Sequence, residues 1–154
     1  MHEMDKLNLP EFNFRISHNT KNKPVIFDVF RKKYVSLTPE EWVRQHIIHY
    51  LVTEKNVPES LISIESGLSI NKLIKRYDAL IYDRFAHPWM LVECKAPKVP
   101  INQSVFDQAI VYNQKIKAKY ILVTNGLKHY CCMMNDKPGK ADFLSEIPFF
   151  KDTN

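Results

Sequence analysis

Asp78, Glu93 and Lys95 sit in two apolar runs, YDALIYD and PWMLVECKAP, joined through RFAHP. Two carboxylates and an amine are the parts of a hydrolytic metal site. Carboxylates hold a hard cation such as Mg2+, and a neighbouring lysine can orient or deprotonate a metal-bound water.

Whether these groups meet depends on strand register. Alternate residues share a face, so Glu93 and Lys95 project together in a row begun by Trp89 and Leu91. Asp78 shares its row with Arg76, Leu80 and Tyr82. If paired residue numbers sum to 171, Asp78 stands opposite Glu93, and a cation relieves the repulsion of the two carboxylates. If they sum to 173, Asp78 faces Lys95, and the hairpin carries an ordinary ion pair on a wet face.

The flanking sequence supplies the elements that would position this hairpin. Residues 1–37 read as an extension packed on the domain, irregular apart from strand-like pieces at about Pro24 to Leu37 that pair or lie across it. LTPEEW starts a helix, with Thr38 as cap, Pro39 in the first turn and Glu41 completing a capping box; it runs to about Glu54, before Asn56 and Pro58. Strands are expected at Leu61–Leu68, Leu73–Asp83 and Trp89–Lys95, a second helix at about Gln103–Lys117, and strands at Tyr120–Thr124 and Leu127–Met134. FLSEIPFF reads as a short helical turn near the end of a domain spanning 38–150, followed by a tail at 151–154. Short links make the first three strands a meander, and the helix after them allows a parallel crossover. The expected fold class is α/β, a mixed β-sheet flanked by helices.

Composition sets the outer bounds. The 154 residues, 45% hydrophobic and 25% charged, suit one domain with a real core. A net charge of +5 permits a phosphate-rich partner without requiring one. Cys94, Cys131 and Cys132 form no disulfide framework, the N-terminus lacks signal-peptide character, and no apolar run reaches the roughly 20 residues of a membrane helix. The expectation is a cytoplasmic protein with no membrane association.

The spacing of Asp78 from Glu93-Cys94-Lys95 resembles the D…(D/E)xK signature of the PD-(D/E)XK nuclease superfamily. The ordered set LTPEEWVRQHIIHYL, KRYDALIYD, LVECKAP, FDQAIVYN and YILVTNG is more specific. Over about residues 35 to 150 it looks like the N-terminal nuclease domain of type I restriction enzyme R subunits, closest to the short stand-alone form. The resemblance implies a restriction-endonuclease-like αβββαβ core and a restriction-system DNA endonuclease that hydrolyses phosphodiester bonds. It implies Mg2+, with Mn2+ able to substitute, held by Asp78, Glu93 and the backbone carbonyl of Cys94. Lys95 would assist the nucleophilic water, with Glu41, or Glu40 in its place, as a further acid. Gln108 and Tyr112 fit the Q-x-x-x-Y element of the following helix, and Arg76 is expected to contact substrate.

The chain departs from the family pattern in two ways. Arg76-Tyr77 replace the proline that precedes the aspartate, and no GxxxxGK phosphate loop is present. Cleavage coupled to translocation would therefore need a motor or other restriction-modification subunits in separate chains. A nuclease-fold DNA-binding or assembly module without turnover is the alternative.

Other residues have simpler readings. Arg44 pairs with Glu41 or meets a phosphate, Asp83 shapes the turn, Cys94 fills core, and His46 and His49 dress the first helix. His129, Cys131 and Cys132 lack the ligand set of a zinc site. The basic residues Lys72, Lys75, Arg76, Arg84, Lys98, Lys115, Lys117 and Lys119 could track a phosphate backbone or simply be solvated.

Overall fold

A computed structural model of the chain describes residues 4–64, 77–137 and 139–151. Over these described residues it is a mixed α/β structure with two α-helices and two sheets. Three N-terminal strands, β1 (Ile16–His18), β2 (Pro24–Asp28) and β3 (Lys33–Ser36), form an antiparallel sheet. The pairing expected within Pro24 to Leu37 is thus made, inside a region whose order exceeds the irregular reading. Helix α1 (Pro39–Glu54) follows, then strands β4 (Ile62–Ile64), β5 (Ala79–Tyr82) and β6 (Pro88–Cys94). Helix α2 (Gln103–Ile116) crosses over to β7 (Tyr120–Thr124), β8 (His129–Met134) and β9 (Ala141–Phe143). The second sheet runs β4-β5-β6-β7-β8-β9, antiparallel except for the β6–β7 pair.

Local chemistry accounts for the helix ends. The Thr38 hydroxyl accepts the Glu41 N–H at 3.0 Å, satisfying one of the otherwise unpaired N–H groups of α1. Asn56 takes a positive φ of 61° and lets the Val57 N–H return to the Leu51 carbonyl, closing the helix. Asn102 caps α2 through the Val105 N–H, and Lys117, left-handed at φ 65°, ends it.

The second sheet is sandwiched between the helices. On one face, Val43, Ile47, Ile48 and Leu51 of α1 pack on Ala79, Ile81, Met90, Val92, Cys94 and Leu122. On the other, Phe106 and Ala109 of α2 pack on Leu80, Leu91, Ile121, Val123 and Cys132. Strand alternation divides the residues in this way.

Several elements differ from the sequence reading. The strand expected over Leu61–Leu68 is described only as Ile62–Ile64, and 65–76 lie outside the described residues. The expected helical turn in FLSEIPFF is absent from the described residues: β9 ends at Phe143, and the chain runs on irregularly. Ile147 and Phe150 are nonetheless buried, with Phe150 edge-on to Trp89 at 5.0 Å. Trp89 joins the α1-side cluster and not the row of Leu91. The register slips between Ile81 and Tyr82, opposite Pro88, which has no N–H for the ladder.

His46 and His49 are core-facing, which corrects their expected place on the helix surface. Phe12, Phe14 and Phe30 pack around them, and Trp42 lies against His46 with ring centroids 4.4 Å apart. The His46 Nδ1–H donates to the Trp42 carbonyl at 2.8 Å. Burial holds both imidazoles below their usual range of about 6.5. In the unfolded chain they protonate first as pH falls. Stability contributed by this cluster is therefore complete above about 6.5 and declines as pH drops below it. Asp78, considered below, acts in the opposite sense, so a local signal is needed. Trp42 fluorescence should report loosening below about pH 6.5, and a His46→Gln/His49→Gln double variant should flatten that transition.

Gly126, in the β7–β8 turn, adopts φ +86°, and a β-carbon there would lie 2.7 Å from Leu7 Cδ2. Gly126→Ala should cost about 1–2 kcal/mol from left-handed strain alone, read as a lower urea midpoint with an unchanged m-value.

Candidate active site

The observed pairs Ala79–Val92, Leu80–Leu91 and Ile81–Met90 each sum to 171. The paired ladder ends at Ala79, and Asp78 lies just before it, beside the end of β6. The Asp78 N–H reaches the Val92 carbonyl at 3.3 Å, and the Asp78 carboxylate accepts the Cys94 N–H at 2.7 Å. Lys95 follows directly, its backbone N–H tied to the Thr124 carbonyl at 2.8 Å. Parallel pairing matches Glu93 with Val123 and Cys94 with Thr124. These residues therefore gather at the carboxyl ends of the parallel strands, beside the crossover, where open α/β sheets commonly bind ligands.

The electrostatics favour a cation here. Glu93 is buried at 4% exposure. Burial pushes the Asp78 carboxyl up to about 6, against the lowering pull of the Cys94 N–H and the Arg44 and Lys95 charges. Glu40 adds a small push in the same direction as burial, and a hard divalent ion would favour the ionised carboxylate. The donors are oxygens suited to Mg2+, which normally keeps several waters and takes only one or two carboxylates. Asp78, Glu93 and the Cys94 carbonyl fit that requirement. Among the described residues, no group of three or more His, Cys, Asp or Glu side chains stands together as a metal site.

Glu41, expected as a further acid, has other partners. Its buried carboxylate is bonded by Arg44, by Arg31 Nη2 at 3.2 Å and by Gln45 Nε2 at 2.8 Å. Arg44 thus pairs with Glu41, and its Nη1 lies 3.9 Å from Asp78 Oδ1. Asp28 binds Arg31 Nε and accepts the Phe30 N–H at 2.8 Å. Arg31 and Asp28 were not among the candidates from sequence. Their own spacing hints at a local pair, but nothing in the chain signals that Arg31 reaches Glu41. Glu40 is exposed at the start of α1.

The remaining candidates lie around this centre or outside the described residues. Gln108 is exposed and Tyr112 half-buried on α2, the helix covering the face that carries Leu91. Arg76, with Lys72 and Lys75, falls outside the described residues. Arg84, Lys98, Lys115, Lys117 and Lys119 are exposed. Asp83 accepts the Phe85 and His87 N–H groups at 2.8 and 2.9 Å, the work of a turn residue. Cys94 is buried on the α1 side, and burial raises its thiol well above the usual range. Cys131 and Cys132 point to opposite faces. Both His129 nitrogens are engaged, by the Thr124 hydroxyl and the Asn8 carbonyl.

Against known families, the sequence model described as type I restriction enzyme R protein N terminus matches residues 39–148. No curated protein and no solved structure matches the chain.

Proposed function

The chain belongs to the family of type I restriction enzyme R protein N termini, and from that premise we propose that it is a Mg2+-dependent DNA endonuclease domain of a restriction system. The order α1, β4, β5, β6, α2, β7 supports reading the second sheet as a restriction-endonuclease-like core. The observation that carries the proposal is the hydrogen bond from the Cys94 N–H to the Asp78 carboxylate, which holds Asp78 beside the segment Glu93-Cys94-Lys95. Asp78, Glu93 and the Cys94 carbonyl would hold the ion, with Mn2+ able to replace it. When bound, Mg2+ supplies charge stabilisation at the phosphate and a water of lowered pKa. Lys95 would orient the attacking water for in-line approach to phosphorus and offset charge on the phosphate. Gln108 and Tyr112, with Arg76, would line the path of the strand. The partner is DNA, with other restriction-modification subunits or a separate motor for any cleavage coupled to translocation. Among the described residues no helix is long and apolar enough to cross a membrane. An intracellular DNA substrate gives the proposed location, the cytoplasm.

Plasmid nicking with Mg2+ or Mn2+ tests this reading. Wild-type protein should convert supercoiled to open-circular DNA only with metal, and Glu93→Ala should lose at least about two orders of magnitude in rate. A metal-independent gel shift without nicking would favour a DNA-binding or assembly module. Equal nicking by Glu93→Ala would place the activity elsewhere.

A further inference from the structure

We propose that Arg44 is a DNA-phosphate contact of this site, held ready by Glu41, and that Arg31 of the N-terminal sheet is the residue that positions it. The inference rests on the nuclease-site reading above. It joins Glu41, Gln45 and Arg44, within the span 39–148 that matches the family, to Asp28 and Arg31, which lie before it.

The geometry forms one continuous chain of ionic contacts. Asp28, at the end of β2, fixes Arg31. Arg31 Nη2 reaches both oxygens of Glu41 at 3.2 Å. Gln45 Nε2 adds a third bond to that carboxylate at 2.8 Å. Glu41 then grips the Arg44 guanidinium through two of its nitrogens, Nε and Nη2. The third nitrogen, Nη1, is the one nearest Asp78, at 3.9 Å.

A guanidinium is a rigid planar fork. Fixing Nε and Nη2 therefore fixes the direction of the N–H groups on Nη1. Nη1 lies 3.9 Å from the Asp78 carboxylate, a gap longer than a hydrogen bond, while the contacts to Glu41 behind it are close. A donor aimed past a candidate metal ligand is placed for an oxygen that arrives beside that ligand. A phosphate of the DNA backbone is such an oxygen, and a planar fork suits it. Arg44 is also accessible enough for this, its side chain being 16% exposed.

On this reading Glu41 orients an arginine and is not itself a metal ligand. Three independent donors occupy its carboxylate, two of them arginines, and an acid serving a cation would have to give up those bonds. The N-terminal sheet becomes part of the working site, because its β2–β3 turn delivers the charge that keeps Glu41 in place.

The test is the salt dependence of DNA binding, measured by fluorescence anisotropy on a short mixed-sequence duplex with Ca2+ replacing Mg2+. Each phosphate contact contributes about 0.9 to the slope of log affinity against log salt. Arg44→Gln should lower the wild-type slope by about 0.9 while keeping the far-ultraviolet circular dichroism of the wild type. Glu41→Gln, which leaves a single oxygen acceptor and so loosens the two-point grip on Arg44, should also lower the salt slope. A wild-type slope retained in Arg44→Gln overturns the assignment. If Arg44→Gln does not fold, Glu41→Gln decides, since a wild-type salt slope there overturns it as well. Wild-type protein that fails to bind the duplex at all would defeat the nuclease reading itself, a result distinct from equal slopes.

Discussion

Lys95→Ala should slow Mg2+-dependent nicking by at least about a hundredfold, the usual span for loss of a positioned acid–base group, with Mg2+ binding by calorimetry essentially unchanged. The two readouts separate because Lys95 contributes no ligand atom to the ion. Lys95 directly follows the last residue of β6, and its backbone N–H is pinned to the Thr124 carbonyl, so its side chain starts from a fixed point. Its charge lies close enough to Asp78 to favour the ionised carboxylate. A modest change in metal affinity at low salt is therefore compatible with this role, and a large one is not. Lys95→Arg keeps the charge but replaces the compact ammonium with a planar guanidinium, so it should keep metal affinity without restoring the rate. Full activity in Lys95→Ala would remove the lysine from the chemistry.

The sequence carries the hairpin and both helices because each is encoded locally. Thr38-Pro39 and Glu41 announce the start of α1, Asn102 and the apolar spacing of Phe106 and Ala109 mark α2, and alternation in β6 sends Glu93 and Cys94 to opposite faces. The choice between the two registers was not legible, since it depends on how the chain turns through Arg84 to Pro88. In the structure Asp83 closes that turn with its own carboxylate, and Ala86 takes a positive φ of 65°. Pro88 then forces the slip that carries Trp89 away from the row of Leu91. Pro88 was the available signal for that slip. The short strand β9 left less trace, since three residues give too little alternation to read. The link from Arg31 to Glu41 left none, because it depends on how a separate sheet docks beside α1. The same holds for His46 and His49. They read as polar decoration of a helix until Phe12, Phe14 and Phe30 are known to cover them.

Glu41→Ala should be the most destabilising polar substitution at the site, costing about 3 kcal/mol in urea unfolding, near the lower end for removing one member of a buried ion pair. The acid is 6% exposed and accepts from Arg31, Arg44 and Gln45. Its loss leaves two guanidiniums, 14% and 16% exposed, facing each other without the anion between them. Their partial exposure lets water recover part of the cost, which is why the lower end applies. Thr38→Ala supplies the control. It removes only the hydroxyl that caps the Glu41 N–H and should cost about 1 kcal/mol. A capping role alone would make the two variants alike. An ionic anchor makes the glutamate far the costlier, and a triple variant Asp28→Asn/Arg31→Met/Glu41→Leu should recover much of the loss by removing buried charges along with their partners. The recovered protein would be stable yet would hold Arg44 poorly. Stability restored without DNA affinity restored would then show that the carboxylate is there to aim an arginine and not merely to hold the helix in place.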